Sequence, residues 1–180
     1  LSSVFMVPDH IMKEINEANK AKYTSESGYS KFFNQISDGL KGQTREIWYV
    51  DRFTVDRRAR RELGKVVTAL REHFPSSVIN LLTSSSQYRP KEIEDVGTRV
   101  DMFRKKLTEI CDNVRFMEED GLDCPHHRYI VIETNKETRW WIMDDGLLSG
   151  DRPKHAGLWK KSDVEESLIQ HLEAHKIRRN

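Results

Sequence analysis

Three short apolar runs, Ile47-Trp48-Tyr49-Val50, Val78-Ile79-Asn80-Leu81-Leu82-Thr83 and Val114-Arg115-Phe116-Met117, are separated by two stretches whose apolar residues recur at helical spacing. This alternation constrains the fold most, because strands joined through a helix-length crossover pair in parallel. In the first stretch Leu63, Val66, Val67, Leu70 and Phe74 share one helix face, Asp56 stands where a cap is needed, and Pro75 ends the run. In the second, Pro90 is placed to open a helix whose apolar side carries Val96, Val100, Phe103, Leu107 and Ile110. The pattern predicts that residues 45–51, 77–83 and 113–118 are adjacent parallel strands.

The flanks complete the expected architecture. Tyr29, Phe32, Phe33, Ile36 and Leu40 fall on one face of a helix that stops near Gly42. Residues 129–133 and 140–143 are β-rich runs joined by Thr134-Asn135-Lys136-Glu137, which reads as an antiparallel hairpin added to the sheet. A C-terminal helix over 162–175 opens with Ser162 and Glu165 at capping-box spacing and turns Val164, Leu168 and Leu172 inward. Residues 8–22, with Ile11, Ile15 and Ala18, read as a peripheral helix or a connection, broken by Thr24-Ser25-Glu26-Ser27-Gly28. The expectation is an N-terminal connection over 1–24 and one α/β domain over 25–180, a mixed sheet with helices on both faces.

Composition narrows the function. A chain of 180 residues, 37% of them hydrophobic, can bury one core. Its charged residues nearly cancel, to a net +1, so any anion-binding surface must arise from local segregation. Arg57, Arg58, Arg60, Arg61 and Lys65 form one basic group and Arg99, Arg104, Lys105 and Lys106 another. With Glu62, Glu72, Glu94 and Asp101 interleaved, both read as solvated helix faces. Only Cys111 and Cys124 are present, and no apolar run has the length of a membrane span or a signal-peptide core, so a cytoplasmic protein is expected. The start Leu1-Ser2-Ser3-Val4 lacks a methionine and reads as a piece of a longer chain or a processed product.

The chemistry-bearing stretch is Cys124-Pro125-His126-His127-Arg128-Tyr129-Ile130-Val131-Ile132-Glu133. Alternate side chains of a strand share a face, which would aim His126 and Arg128 the same way at the mouth of an apolar strand. A histidine beside a cation is suited to phosphorus chemistry, one group attacking or protonating and the other neutralising a phosphate oxygen. His171 and His175 stand at i, i+4 spacing but read as part of an exposed polar face, and no metal or other cofactor is expected. Trp48, Trp140 and Trp141 read as core, and Trp159 as a loop aromatic.

Over about residues 27–172 the chain resembles the phospholipase D-like C-terminal domain of MIT-domain proteins and some bacterial relatives. The likeness lies in Gly28-Tyr29-Ser30 with Phe33, Ile47-Trp48-Tyr49-Val50-Asp51, Ile79-Asn80-Leu81-Leu82-Thr83-Ser84, His126-His127-Arg128-Tyr129-Ile130, and Trp141-Ile142 with Gly146-Leu147. The H-x-R-x4-E run is then a variant of the H-x-K-x4-D pattern. The resemblance implies a single phospholipase D-like domain that binds acidic lipid without catalysis. His126, Arg128, Asp51 and Ser84 are the expected ligand-binding residues, with nucleic acid or a protein as the other partners and the protein peripheral to a membrane. Arg128 in the lysine position, and Asp144-Asp145 in the later turn, weigh against turnover. The alternative is a homodimeric phosphodiesterase or nuclease with one motif per subunit, in which His126, Arg128 and Glu133 would be catalytic.

Overall fold

The computed structural model describes residues 28–86, 88, 95–143 and 156–179. The expected segment over 8–22, Pro90 and the turn at 144–149 lie outside them. Helix α1 (Gly28–Ile36) leads to strand β1 (Thr44–Val50), α2 (Arg57–His73), β2 (Val78–Thr83), α3 (Val96–Thr108) and β3 (Asn113–Phe116). Strands β4 (Arg128–Thr134), β5 (Thr138–Met143) and β6 (Ala156–Trp159) follow, and α4 (Glu166–Arg179) ends the chain.

The six strands form one mixed sheet in the order β3-β2-β1-β4-β5-β6. As the alternation predicts, β1, β2 and β3 are parallel neighbours, and β4 and β5 are an antiparallel hairpin laid beside β1. Strand β1 is thus the seam between a parallel and an antiparallel half. Its alternate residues serve two cores: Ile47 and Tyr49 pack with Phe32 and Phe33 of α1, Leu63 and Leu70 of α2, and Phe103 and Leu107 of α3. Trp48 and Val50 face the other way, toward Leu168 and Leu172 of α4. Among the described residues, three helices cover one face and one helix the other. Each fully buried aliphatic side chain in these layers contributes about 1.5–3 kcal/mol against exposure.

Local signals explain most helix limits. The Asp56 carboxylate accepts from the Ala59 amide at 2.7 Å, as its cap position predicts. Helix α3 is capped by Asp95, which accepts from Thr98 N at 2.8 Å, so its first turn begins later than a start at Pro90 would give. Val96, expected inward, is 57% exposed, because a residue in that first turn lies beyond the reach of the Phe103-Leu107 stripe. Helix α1 ends at Ile36, and Leu40 packs on the core from the turn beyond it. Trp159 closes strand β6 rather than standing in a loop. It completes a row Trp48-Val131-Trp140-Trp159 across four strands on the α4 face.

The C-terminal helix departs most from expectation. Ser162 sits in a separate 3-10 turn, Lys161–Asp163, and α4 starts only at Glu166, so Ser162 and Glu165 make no capping box. The Glu165 carbonyl instead accepts the first helical amides, from Leu168 at 3.1 Å and Ile169 at 3.4 Å. Its carboxylate is engaged with the segment before β4.

At the far end of the sheet Gly42 turns the chain with φ +86°, and a Cβ there would lie 2.1 Å from Asn135 Oδ1. That oxygen accepts from the Gln43 amide at 3.0 Å and ties the start of β1 to the β4-β5 turn. Gly42→Ala should therefore lower stability by about 1–3 kcal/mol, combining backbone strain with loss of this tie. Urea unfolding midpoints test this, and an unchanged midpoint would show that the turn yields at no cost.

Candidate functional site

The parallel strands end, and β4 begins, along one rim of the sheet. In α/β sheets the carboxyl ends of the strands are where ligands gather. Strand β1 delivers Asp51 to this rim, β2 delivers Ser84, and the segment before β4 delivers His126 and His127, with Arg128 as the first strand residue.

Asp51 is the organising acid, with only 2% of its side chain exposed. Its Oδ1 accepts from the Phe53 amide at 2.8 Å and from Arg128 Nε at 3.4 Å, while Oδ2 accepts from the Tyr49 hydroxyl at 3.1 Å. Burial pushes its carboxyl above the ordinary carboxylate range, against the pull of the Phe53 amide, the Arg128 charge and the Tyr49 hydroxyl. The Arg128 guanidinium also lies over the Phe53 ring, 4.9 Å from its centroid, and Arg52 lies over the same ring at 5.7 Å. Phe53 itself is 42% exposed. Arg52 further donates to the carbonyls of Pro125 at 3.0 Å and His126 at 3.1 Å, tying the β1 end to the segment before β4.

From the α4 face, Glu165 grips the same segment. One carboxylate oxygen accepts from the His126 amide at 2.7 Å; the other accepts from the His127 amide at 3.1 Å and the Tyr129 hydroxyl at 2.7 Å. Burial and this hydrogen bond push the Tyr129 phenol well above its ordinary value, so it stays a donor. His127 stands edge-on to Tyr129 and to Trp159.

The structure thus brings Asp51, Arg128 and the His126 backbone together but not Glu133. Glu133 lies toward the opposite end of β4, on the face opposite Arg128, with Lys176 Nζ 3.5 Å away. It is not placed to orient His126. Strand β4 starts at Arg128, so strand alternation does not reach back to His126, which lies exposed in a bend. Ser84 hydrogen-bonds to Glu118 and, at 2.8 Å, to Ser86.

One pair was misread from sequence. His171 and His175 are 2% and 7% exposed, on the buried face of α4 rather than on a polar one. The four arginines at 57–61 open α2 at this very rim. Among the described residues no group of three or more His, Cys, Asp or Glu is placed to hold a metal ion, and no helix is long and apolar enough to cross a membrane.

What fold and rim define is an α/β domain with a mixed six-stranded sheet and an arginine-flanked exposed aromatic at the end of its central strand. Comparison with known proteins found no family model that matches the chain and no matching curated protein.

The buried acid yields a pH prediction. Because the folded form holds a proton on Asp51 more readily than the unfolded chain does, this group costs stability above its raised pKa and the cost fades on acidification. Arg128→Leu removes the compensating cation and should cost about 1–3 kcal/mol near neutral pH, shrinking over the acid range as Asp51 takes up its proton. Urea midpoints across that range check it; a loss independent of pH would place its origin elsewhere.

Proposed function

We propose that the domain is a non-catalytic, phospholipase D-like binding module that docks on an acidic, phosphate-bearing membrane surface through this rim. The observation that carries the reading is exposed Phe53 with the guanidinium groups of Arg52 and Arg128 over its ring, beside the arginine-rich first turn of α2. That turn carries no acidic residue. Cations at a helix N-terminus oppose the helix dipole, and four arginines outnumber the single capping carboxylate of Asp56, so the cluster is costly for the isolated domain and is further offset when an anion sits against it. An aromatic ring among arginines suits the headgroup boundary, where the ring enters the interface and the cations meet phosphate. A nucleobase would have to stack on a ring face that guanidinium already covers, which favours lipid over nucleic acid.

The placement of the carboxylates supports binding over phosphodiester cleavage. A nucleophilic histidine needs a group that orients its ring. Glu165 is spent on backbone amides and a phenol, and Glu133 lies toward the far end of the strand.

Co-sedimentation of the whole chain with vesicles containing phosphatidylinositol phosphate tests the reading. Arg57→Gln should weaken binding by about 1 kcal/mol, or roughly fivefold. Phe53→Ser should weaken it at least as much, and added salt should weaken all of it. Lys105→Gln, at the end of α3 remote from the rim, should change little. Failure to bind at low salt, with binding to a single-stranded oligonucleotide, would transfer the rim to nucleic acid. Turnover of bis-p-nitrophenyl phosphate abolished by His126→Ala would make the dimeric enzyme the better reading.

A further inference from the structure

Beneath α4 lies a covered polar cluster that the rim does not use. His175 stands edge-on to Trp48, with ring centroids 4.7 Å apart and planes at 83°, and its Nε2 has no hydrogen-bond partner among the described residues. Arg115 of β3 lies on the same sheet face, bonded at 2.6 Å to Asp120 of the 3-10 turn after β3. On α4 itself, His171 places Nδ1 3.4 Å from Asp120 and Nε2 2.9 Å from the Asp123 carbonyl, so both of its nitrogens face acceptors. Lys176, the next residue along, is drawn to Glu133 of β4, and Glu46 of β1 is a buried carboxylate on the same sheet face. His175 is therefore the imidazole that a proton would leave charged, covered and beside a cation.

The helix that covers His175 also holds the rim. The carbonyl of Glu165 receives the first helical amides of α4 while its carboxylate grips the backbone of His126 and His127 and the hydroxyl of Tyr129. Undocking α4 must pull on that grip.

We propose that α4 is an acid-released latch: protonation of His175 beside Arg115 loosens the helix from the sheet and, through Glu165, releases the segment at 126–129. The sign follows from which state accepts the proton. A solvated imidazole protonates near 6.5. Burial first, and then the Arg115 guanidinium, hold docked His175 below that value; Asp120 pulls it upward and Lys176 downward again. As pH falls below about 6.5, the undocked helix binds a proton that the docked helix refuses, and docking weakens.

Hydrogen exchange of the whole chain without ligand tests the latch, so its outcome is separate from whether the rim binds lipid. After correction for intrinsic chemistry, the amides of His126, His127 and residues 170–176 should exchange about tenfold faster near pH 5 than near pH 7. The amides of β1 and β2 should not. His175→Phe keeps an aromatic edge on Trp48 and removes the titrating group, and should abolish the acceleration; His175→Gln, smaller and polar, should abolish it too. Glu165→Gln should keep the acid response in α4 but weaken its transmission to His126 and His127. Unchanged α4 exchange across this range, or the same acceleration in both His175 variants, would overturn the proposal.

Discussion

The structure depends on β1 being buried on both faces while it joins two kinds of strand pairing. Its backbone bonds in parallel to β2 and antiparallel to β4, and its side chains alternate between a core under three helices and a core under one. A strand so enclosed has no solvent to satisfy whatever polar group ends it. Asp51 ends it, and the Tyr49 hydroxyl, the Phe53 amide and Arg128 are what its carboxylate requires. The rim's geometry is thus a consequence of where the central strand stops.

Glu165 supplies the second organising contact. It lies far from β4 in sequence, yet its carboxylate settles the backbone of the two residues before that strand. With Arg52 holding the neighbouring carbonyls, the segment before β4 is gripped by two side chains at once. Donors from Arg52 and acceptors from Glu165 set how Arg128 enters the strand.

The strands were legible because each is a compact apolar run, and burial on both faces removes the alternation that would otherwise blur it. Helix α2 was legible from Asp56 to Pro75 because cap, stripe and breaker agree. The rim was legible only in part. Asp51, Ser84, His126 and Arg128 do gather at one edge, but Ser84 is taken by Glu118 and Glu133 faces away. Glu165 read as a cap partner because its sequence neighbours fit that role, whereas its acceptors find donors contributed by tertiary structure. His171 and His175 were misjudged because polar residues on the same helix face as Leu168 and Leu172 look solvated until the opposing Trp48 and Asp120 are placed. Arg57, Arg58 and Arg61 are exposed, as their charge pattern predicts, but a one-dimensional count of charges does not show which end of the sheet their helix starts from.

The two outermost strands of the described sheet are its shortest, four residues each in β3 and β6. Strand β3 also carries Arg115, a charged side chain turned toward the α4 layer and held by Asp120. A brief edge with an inward cation offers little template to another polypeptide. Sheet-to-sheet fusion between copies is thereby discouraged at β3. At high local concentration, such as crowding on a flat two-dimensional support, copies of this domain would sooner meet through side-chain surfaces than polymerise along their strands.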